Sequence, residues 1–123
     1  MGRKRRTSID KAAEDELFEA LDKSYISGIT FSGGDPLFPN NRSEVFRLAK
    51  KCKELFPDKT VWLYTGYLWE EICNLEGISD IDVIAEGEFV EALKDNSLKW
   101  IGSSNQRVIN VPETLKTKEV VLI

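Results

Sequence analysis

The sequence contains no histidine and only two cysteines, Cys52 and Cys73. The first absence removes Ser–His and Cys–His nucleophile pairs. It also removes the side chain whose ordinary pKa lies nearest neutrality. The second leaves too few thiolates for a structural zinc site or an iron–sulfur cluster, and the two cysteines are not arranged as a CxxC pair. There is no apolar run near the roughly 20 residues that a membrane-spanning helix needs. No excess of positive charge exists either: the net charge is −4, so the chain offers no overall basic field to a nucleic acid. The four cations of Arg3-Lys4-Arg5-Arg6 lead into no apolar segment, so they do not begin a secretory signal. They read as a solvated start or as a nucleic-acid contact without a matching basic patch. Cytoplasmic residence is the expectation.

What is present is the pattern of one α/β domain across all 123 residues. Thr7 with Asp10 fits a capping box, and Ala13, Leu17, Ala20 and Leu21 then recur at helical spacing, predicting a helix over Ser8 to Ser24. Ile29-Thr30-Phe31 reads as a short buried strand. Asn40 or Asn41 can cap a second helix, with Val45, Leu48, Ala49, Cys52, Leu55 and Phe56 on one face. Further strands are predicted at Thr60 to Tyr64, Ile81 to Ala85 and Arg107 to Val111, with a short last one at Glu119 to Leu122. Leu68 to Leu75 reads as a short helix and Glu88 to Leu93 as a helical turn. Strands alternating with helices imply a mainly parallel sheet. The helix-first start is unusual, because that helix enters a sheet it did not leave.

In such sheets ligands bind at the carboxyl ends of the strands. Three loops qualify. In Ser32-Gly33-Gly34-Asp35-Pro36, paired glycines let a backbone approach a ligand or simply make a tight turn. The absence of a following GKS/T excludes a P-loop. Thr65-Gly66-Tyr67 is either a second ligand loop or an ordinary turn. Asp82 with Glu86-Gly87 is the third, where Asp82 could be a surface strand residue and Glu86 a solvated charge. A fourth polar segment, Lys99 to Arg107, could clamp a carboxylate or phosphate or serve as a well-bonded structural loop. Cys52, on an apolar helix face, reads as a buried thiol, and Cys73 as partly buried packing.

Four segments occur in a specific order: Gly28-Ile29-Thr30-Phe31-Ser32-Gly33-Gly34-Asp35-Pro36-Leu37-Phe38, Trp62-Leu63-Tyr64-Thr65-Gly66-Tyr67, Asp82-Val83-Ile84, and Lys99-Trp100-Ile101-Gly102-Ser103-Ser104-Asn105-Gln106-Arg107-Val108. Together they resemble the activating proteins of anaerobic (class III) ribonucleoside-triphosphate reductase, within the radical S-adenosylmethionine enzymes. The resemblance runs from about Gly2 to Val111. It implies a (β/α) barrel-type fold, S-adenosylmethionine as cofactor, a 4Fe–4S cluster on a CxxxCxxC loop, and the anaerobic reductase as partner. An electron from the cluster cleaves the sulfonium, and the 5′-deoxyadenosyl radical takes hydrogen from a glycine of the reductase. Carried onto this sequence, the cofactor-facing residues are Ser32, Gly33, Gly34 and Asp35, whose backbone would receive the methionine amino group. Thr65, Gly66 and Asp82 match loops at the same end.

The sequence departs from that pattern in one respect above all. The family's first strand and cluster loop precede the helix predicted at Ser8 to Ser24, and the sequence starts at Met1, after that point. The expectation is a truncated domain over residues 1–123: a partial barrel lacking the first strand, assigned no catalytic residue or metal ligand, unable to bind the cluster alone and catalytically incompetent. Glu86 also stands where the resemblance implies an aspartate. The alternatives are a non-catalytic module that docks on the reductase or complements a separate cluster-bearing segment, and an unrelated small nucleotide-binding domain. An uncovered strand edge predicts dimerisation or limited stability.

Overall fold

The computed structural model describes residues 10–123. The basic cluster and Thr7 of the predicted capping box lie outside them. Helix α1 spans Lys11–Leu21, shorter at both ends than the periodicity predicts, and Asp10 caps it by accepting from the Ala13 amide at 2.8 Å. Strand β1 is Gly28–Phe31, helix α2 is Pro39–Leu55 and strand β2 is Thr60–Thr65. Neither Asn40 nor Asn41 caps α2. The helix begins after Phe38 with Pro39 at its first turn, where the fixed φ of proline suits a helix start. Asn41 instead donates its side-chain amide to the Asp35 carbonyl at 3.0 Å.

Helix α3 is a single turn, Trp69–Ile72, and strand β3 is Val83–Glu86. Strand β4, Arg107–Asn110, leads directly into helix α4, Val111–Thr117. That helix was not expected from the sequence. Its start is nonetheless well marked, since the Asn110 side chain accepts from the Glu113 amide and Pro112 lies in the first turn. The predicted last strand reduces to one bridge between Ile109 and Leu122.

The four strands lie in the order β1-β2-β3-β4. The first three are parallel, with Ile29 opposite Val61 and Leu63 opposite Ile84. Strand β4 is antiparallel to β3, pairing Arg107 with Glu86 and Asn110 with Val83. The architecture is therefore mixed α/β with an open, mostly parallel sheet. It does not close into a barrel. The reversal at β4 follows from the connection before it. Between β3 and β4 the only helical piece is the 3-10 turn Glu91–Leu93, too short to carry the chain back for a parallel crossover.

Side chains alternate across the sheet. Ile29, Phe31, Val61, Leu63, Ile84 and Ile109 face the main core, with Phe18 and Leu21 of α1, Leu48, Ala49 and Cys52 of α2, and Ile72 of α3. Val83, Ala85 and Val108 form a smaller cluster on the opposite face, against Trp62, Tyr64 and Ile101. The helices thus cover one face, while loop residues and aromatic rings cover the other only in part. At the edge, a Cβ on Gly28 would lie 2.0 Å from the Thr60 carbonyl oxygen, so only glycine allows the start of β1 to approach β2. Outside the core, Glu14 of α1 joins Arg47 and Lys51 of α2 at 2.6 Å each. Those hydrogen bonds, the one from Arg47 foremost, hold the Glu14 carboxyl down to about 2. None of the described helices is long and apolar enough to cross a membrane.

Candidate functional site

Because β1, β2 and β3 run parallel, the loops after them emerge at one end of the sheet. Because β4 runs the other way, the segment before it arrives at that same end. Four loops therefore meet around a cavity of about 690 Å³, within the usual range for a small-molecule site. Gly33, Asp35, Thr65, Gly66, Gly87 and Gln106 contribute to its polar side. Tyr64, Phe89 and Trp100 contribute aromatic surface.

Asp35 ties the first two loops together. One carboxylate oxygen accepts from the Thr65 hydroxyl at 2.8 Å and from the Leu37 amide at 3.0 Å, and the other accepts from the Gly66 amide at 3.0 Å. The Thr65 hydroxyl in turn accepts from the Tyr67 amide at 3.2 Å. Gly33 adopts a φ of +91°, which favours glycine, and a Cβ built at Gly33 or Gly34 would meet nothing within 4 Å. Packing does not require glycine at these two positions. Their backbone is simply bare, with Gly33 on the cavity wall and Ser32 exposed beside it.

The sequence assigned no role to Asn105-Gln106-Arg107, and the structure gives each residue one. The Gln106 side chain accepts from the Gly102 and Ser103 amides at 2.9 and 3.0 Å and donates to the Gly87 carbonyl at 2.8 Å. Asn105 donates to the Glu88 carbonyl at 2.8 Å. Arg107 grips the fully buried carboxylate of Glu86 through two nitrogens at 3.0 Å and also reaches Glu70 at 2.9 Å. Glu86 further accepts from the Trp69 amide at 2.6 Å. The carboxylate of Glu86 raises the already high pKa of Arg107, so the guanidinium is permanently charged. Glu86 is not a solvated loop charge: it fastens the end of β3 to the starts of α3 and β4.

Ser32, Gly33, Gly34, Asp35, Thr65 and Gly66 are brought together at this end. Asp82 is not. It precedes β3, at the opposite end of the sheet, where it binds Lys53 at 3.0 Å and accepts from the Val61 amide at 2.7 Å. Asp82 stabilises the amino-terminal edge of β2 and β3, and Glu86 ends the same strand on the site side. Gly87, Phe89, Trp100 and Gln106 also line the cavity; the sequence placed Gly87, Trp100 and Gln106 within candidate loops without assigning them a cofactor contact, and did not single out Phe89. The glycine pattern offered a signal at Gly87, which has a φ of +102°.

The thiols do not fit an iron–sulfur cluster. Cys52 is fully buried on the core face of α2, and burial raises its thiol pKa, opposing the thiolate a metal needs. Cys73 follows α3 and packs against the same core. Among the described residues, no three histidine, cysteine, aspartate or glutamate side chains are placed to hold a metal.

An open α/β sheet with a loop-built cavity at the carboxyl ends of its parallel strands is the arrangement in which α/β domains commonly bind small ligands. Comparison with known proteins narrows this. Residues 2–109 match the model of the 4Fe-4S single cluster domain, and the chain belongs to that family. The chain is 47% identical over 93 residues to the anaerobic ribonucleoside-triphosphate reductase-activating protein of Enterobacteria phage T4, covering 76% of this chain and 59% of that protein. It is 40% identical over 102 residues to the protein of the same name from Escherichia coli K12, covering 80% and 66%. For the Vibrio cholerae counterpart the identity is 38% over 97 residues, covering 76% and 63%. The resemblance read from the four ordered segments is thus to the right proteins, and the chain spans less than two thirds of each of these relatives. No solved structure matches it.

Proposed function

We propose that this chain carries the S-adenosylmethionine-binding and reductase-facing part of an activating protein for anaerobic ribonucleotide reductase. The observation that carries the proposal is the bare backbone at Gly33 and Gly34 beside a cavity of about 690 Å³, in a chain whose relatives bear that name. Backbone groups without side-chain cover suit the amino-acid half of the cofactor, and the aromatic wall suits its apolar parts. When bound, S-adenosylmethionine would supply a sulfonium open to one-electron reductive cleavage, the electron coming from a cluster that the described residues do not hold. The contribution of the described residues is to bind and orient it. They supply no thiolate set for the cluster, so by themselves they are catalytically incompetent.

Two measurements on the 123-residue chain test this. Calorimetric titration should show one site per chain for S-adenosylmethionine and none for ATP. Anaerobic reconstitution with iron and sulfide should leave the thiolate-to-iron absorbance bands absent. Binding of ATP in place of S-adenosylmethionine would favour an unrelated nucleotide-binding domain. A stoichiometric cluster would refute the claim that these residues cannot hold one.

A docking role rests on a separate observation. Phe38, Leu68, Phe89, Val90, Leu93 and Trp100 are all substantially exposed; Phe89 and Trp100 line the cavity, and the others lie on the connections that follow β1, β2 and β3. An apolar rim of this kind suits a protein partner. Retention of the anaerobic reductase by the immobilised chain, lost on replacing Phe38 and Leu68 with serine, is the expected result. Equal retention by both would place docking elsewhere.

A further inference from the structure

The cavity wall is built unevenly, and its best-fixed part is the one the sequence left without a role. The connection from Gly87 to Gln106 folds back on itself and is braced along its length. Gln106 bridges Gly87 to Gly102 and Ser103, and Asn105 holds Glu88. The Ser104 amide donates to the Leu93 carbonyl at 2.9 Å, and the buried Ser103 hydroxyl accepts from the Val90 amide at 3.1 Å. Gly102 passes directly beneath the Phe89 ring, where a Cβ would lie 3.0 Å from the ring edge.

Within this braced loop, Trp100 holds a left-handed backbone with φ of +73°. A tryptophan keeps such a conformation only where its surroundings over-determine it. Its ring meets Trp62 edge-on, with centroids 5.4 Å apart and planes at 61°. It nevertheless stays 42% exposed and lines the cavity. The Lys99 ammonium lies 4.7 Å from the centre of the same ring. A large aromatic ring is therefore held between Trp62 and Lys99, with its remaining exposed surface on the cavity side.

We infer that Trp100 is the specificity residue for a planar heteroaromatic base, and that Gln106 is its positioning residue. The inference rests on the proposed S-adenosylmethionine site and assigns the adenine half of that ligand to the loop from Gly87 to Gln106. Stacking on a pre-ordered ring gives affinity for any base with an exposed π face at little entropic cost. The amino-acid half falls to the Gly33 side of the same cavity.

The test uses three probes: S-adenosylmethionine, methylthioadenosine, which keeps the adenosine but lacks the amino acid, and S-methylmethionine, which keeps the sulfonium amino acid but lacks the base. Trp100→Ala should weaken the two adenosine-bearing probes by about ten-fold or more, in line with the usual worth of base–aromatic stacking. It should leave S-methylmethionine unchanged. Trp100→Phe should recover most of the loss. Gln106→Ala should reproduce the Trp100→Ala pattern, without the quenching of tryptophan fluorescence that adenosine probes cause in the parent chain. Equal weakening of all three probes, or of none, would overturn the inference while leaving the site intact. Failure of the parent chain to bind any probe would overturn the site and the inference together.

Discussion

Replacing Arg107 with alanine should destabilise the domain by about 3–5 kcal/mol, the usual cost of leaving one member of a buried ion pair alone. Glu86 is fully buried, and Arg107 supplies two of the three hydrogen bonds to its carboxylate. Without the guanidinium, only the Trp69 amide faces the charge. The carboxylate would then be left buried with a single donor, which is the costly arrangement. Urea unfolding of Arg107→Ala beside the parent chain measures the loss. A loss below about 1 kcal/mol would show the pair to be no more than an exposed surface bridge. Replacing Glu86 and Arg107 together with methionine removes the charge and its partner at once. That double variant should recover much of the lost stability, as buried pairs replaced by apolar residues commonly do. Glu70 is largely exposed on the outer side of Arg107, so its own removal should matter little.

That same pair explains why part of the site was hard to read from sequence. Glu86 and Arg107 are distant in the chain and become neighbours only because β4 pairs antiparallel with β3. Local periodicity carries no sign of that reversal: the apolar run Val108-Ile109 reads identically in either direction. The parallel part was legible because each strand is followed by a glycine loop and, after β1 and β2, by an apolar helical face. Ser32 to Asp35 and Thr65-Gly66 were found for the same reason, since strand ends in a parallel sheet fix where loops emerge. Asp82 was misplaced by one strand length. It was taken with Glu86-Gly87 as a single feature, whereas Asp82 precedes the four-residue strand that Glu86 ends, which puts them at opposite ends of the sheet. The amide-rich segment before β4 was noticed, but its chemistry is inward. Gln106 and Asn105 direct their side-chain hydrogen bonds into the loop itself, and Trp100 supplies the segment's aromatic ring on the cavity wall.

Asp35 should prove the most sensitive single position of the site. Its carboxylate accepts three hydrogen bonds, from Leu37 and Thr65 on one oxygen and from Gly66 on the other. Bonds to an ionised acceptor contribute more than neutral ones, about 1.5–3 kcal/mol each where water is excluded. Asp35 is only half-buried, so the freed donors recover part of this from solvent. Asp35→Ala should therefore cost about 2–4 kcal/mol of stability in sum. The larger consequence lies in the cavity. Among the described residues, the Asp35 side chain hydrogen-bonds the glycine loop after β1 to the loop after β2, so without it Gly33 and Gly66 lose their fixed spacing across the cavity. Binding of S-adenosylmethionine should fall below detection in Asp35→Ala. Asp35→Asn separates the two roles. Its single oxygen can keep the Thr65 and Leu37 bonds, but its amide nitrogen then faces the Gly66 amide, donor against donor. Stability should drop by roughly half as much as in the alanine variant, and amide exchange should accelerate at Gly66 while staying slow at Leu37. Equal exchange at both amides in Asp35→Asn would mean that the carboxylate does not divide its bonds in this way. Undiminished binding in Asp35→Ala would mean that the glycine loop holds its position without it.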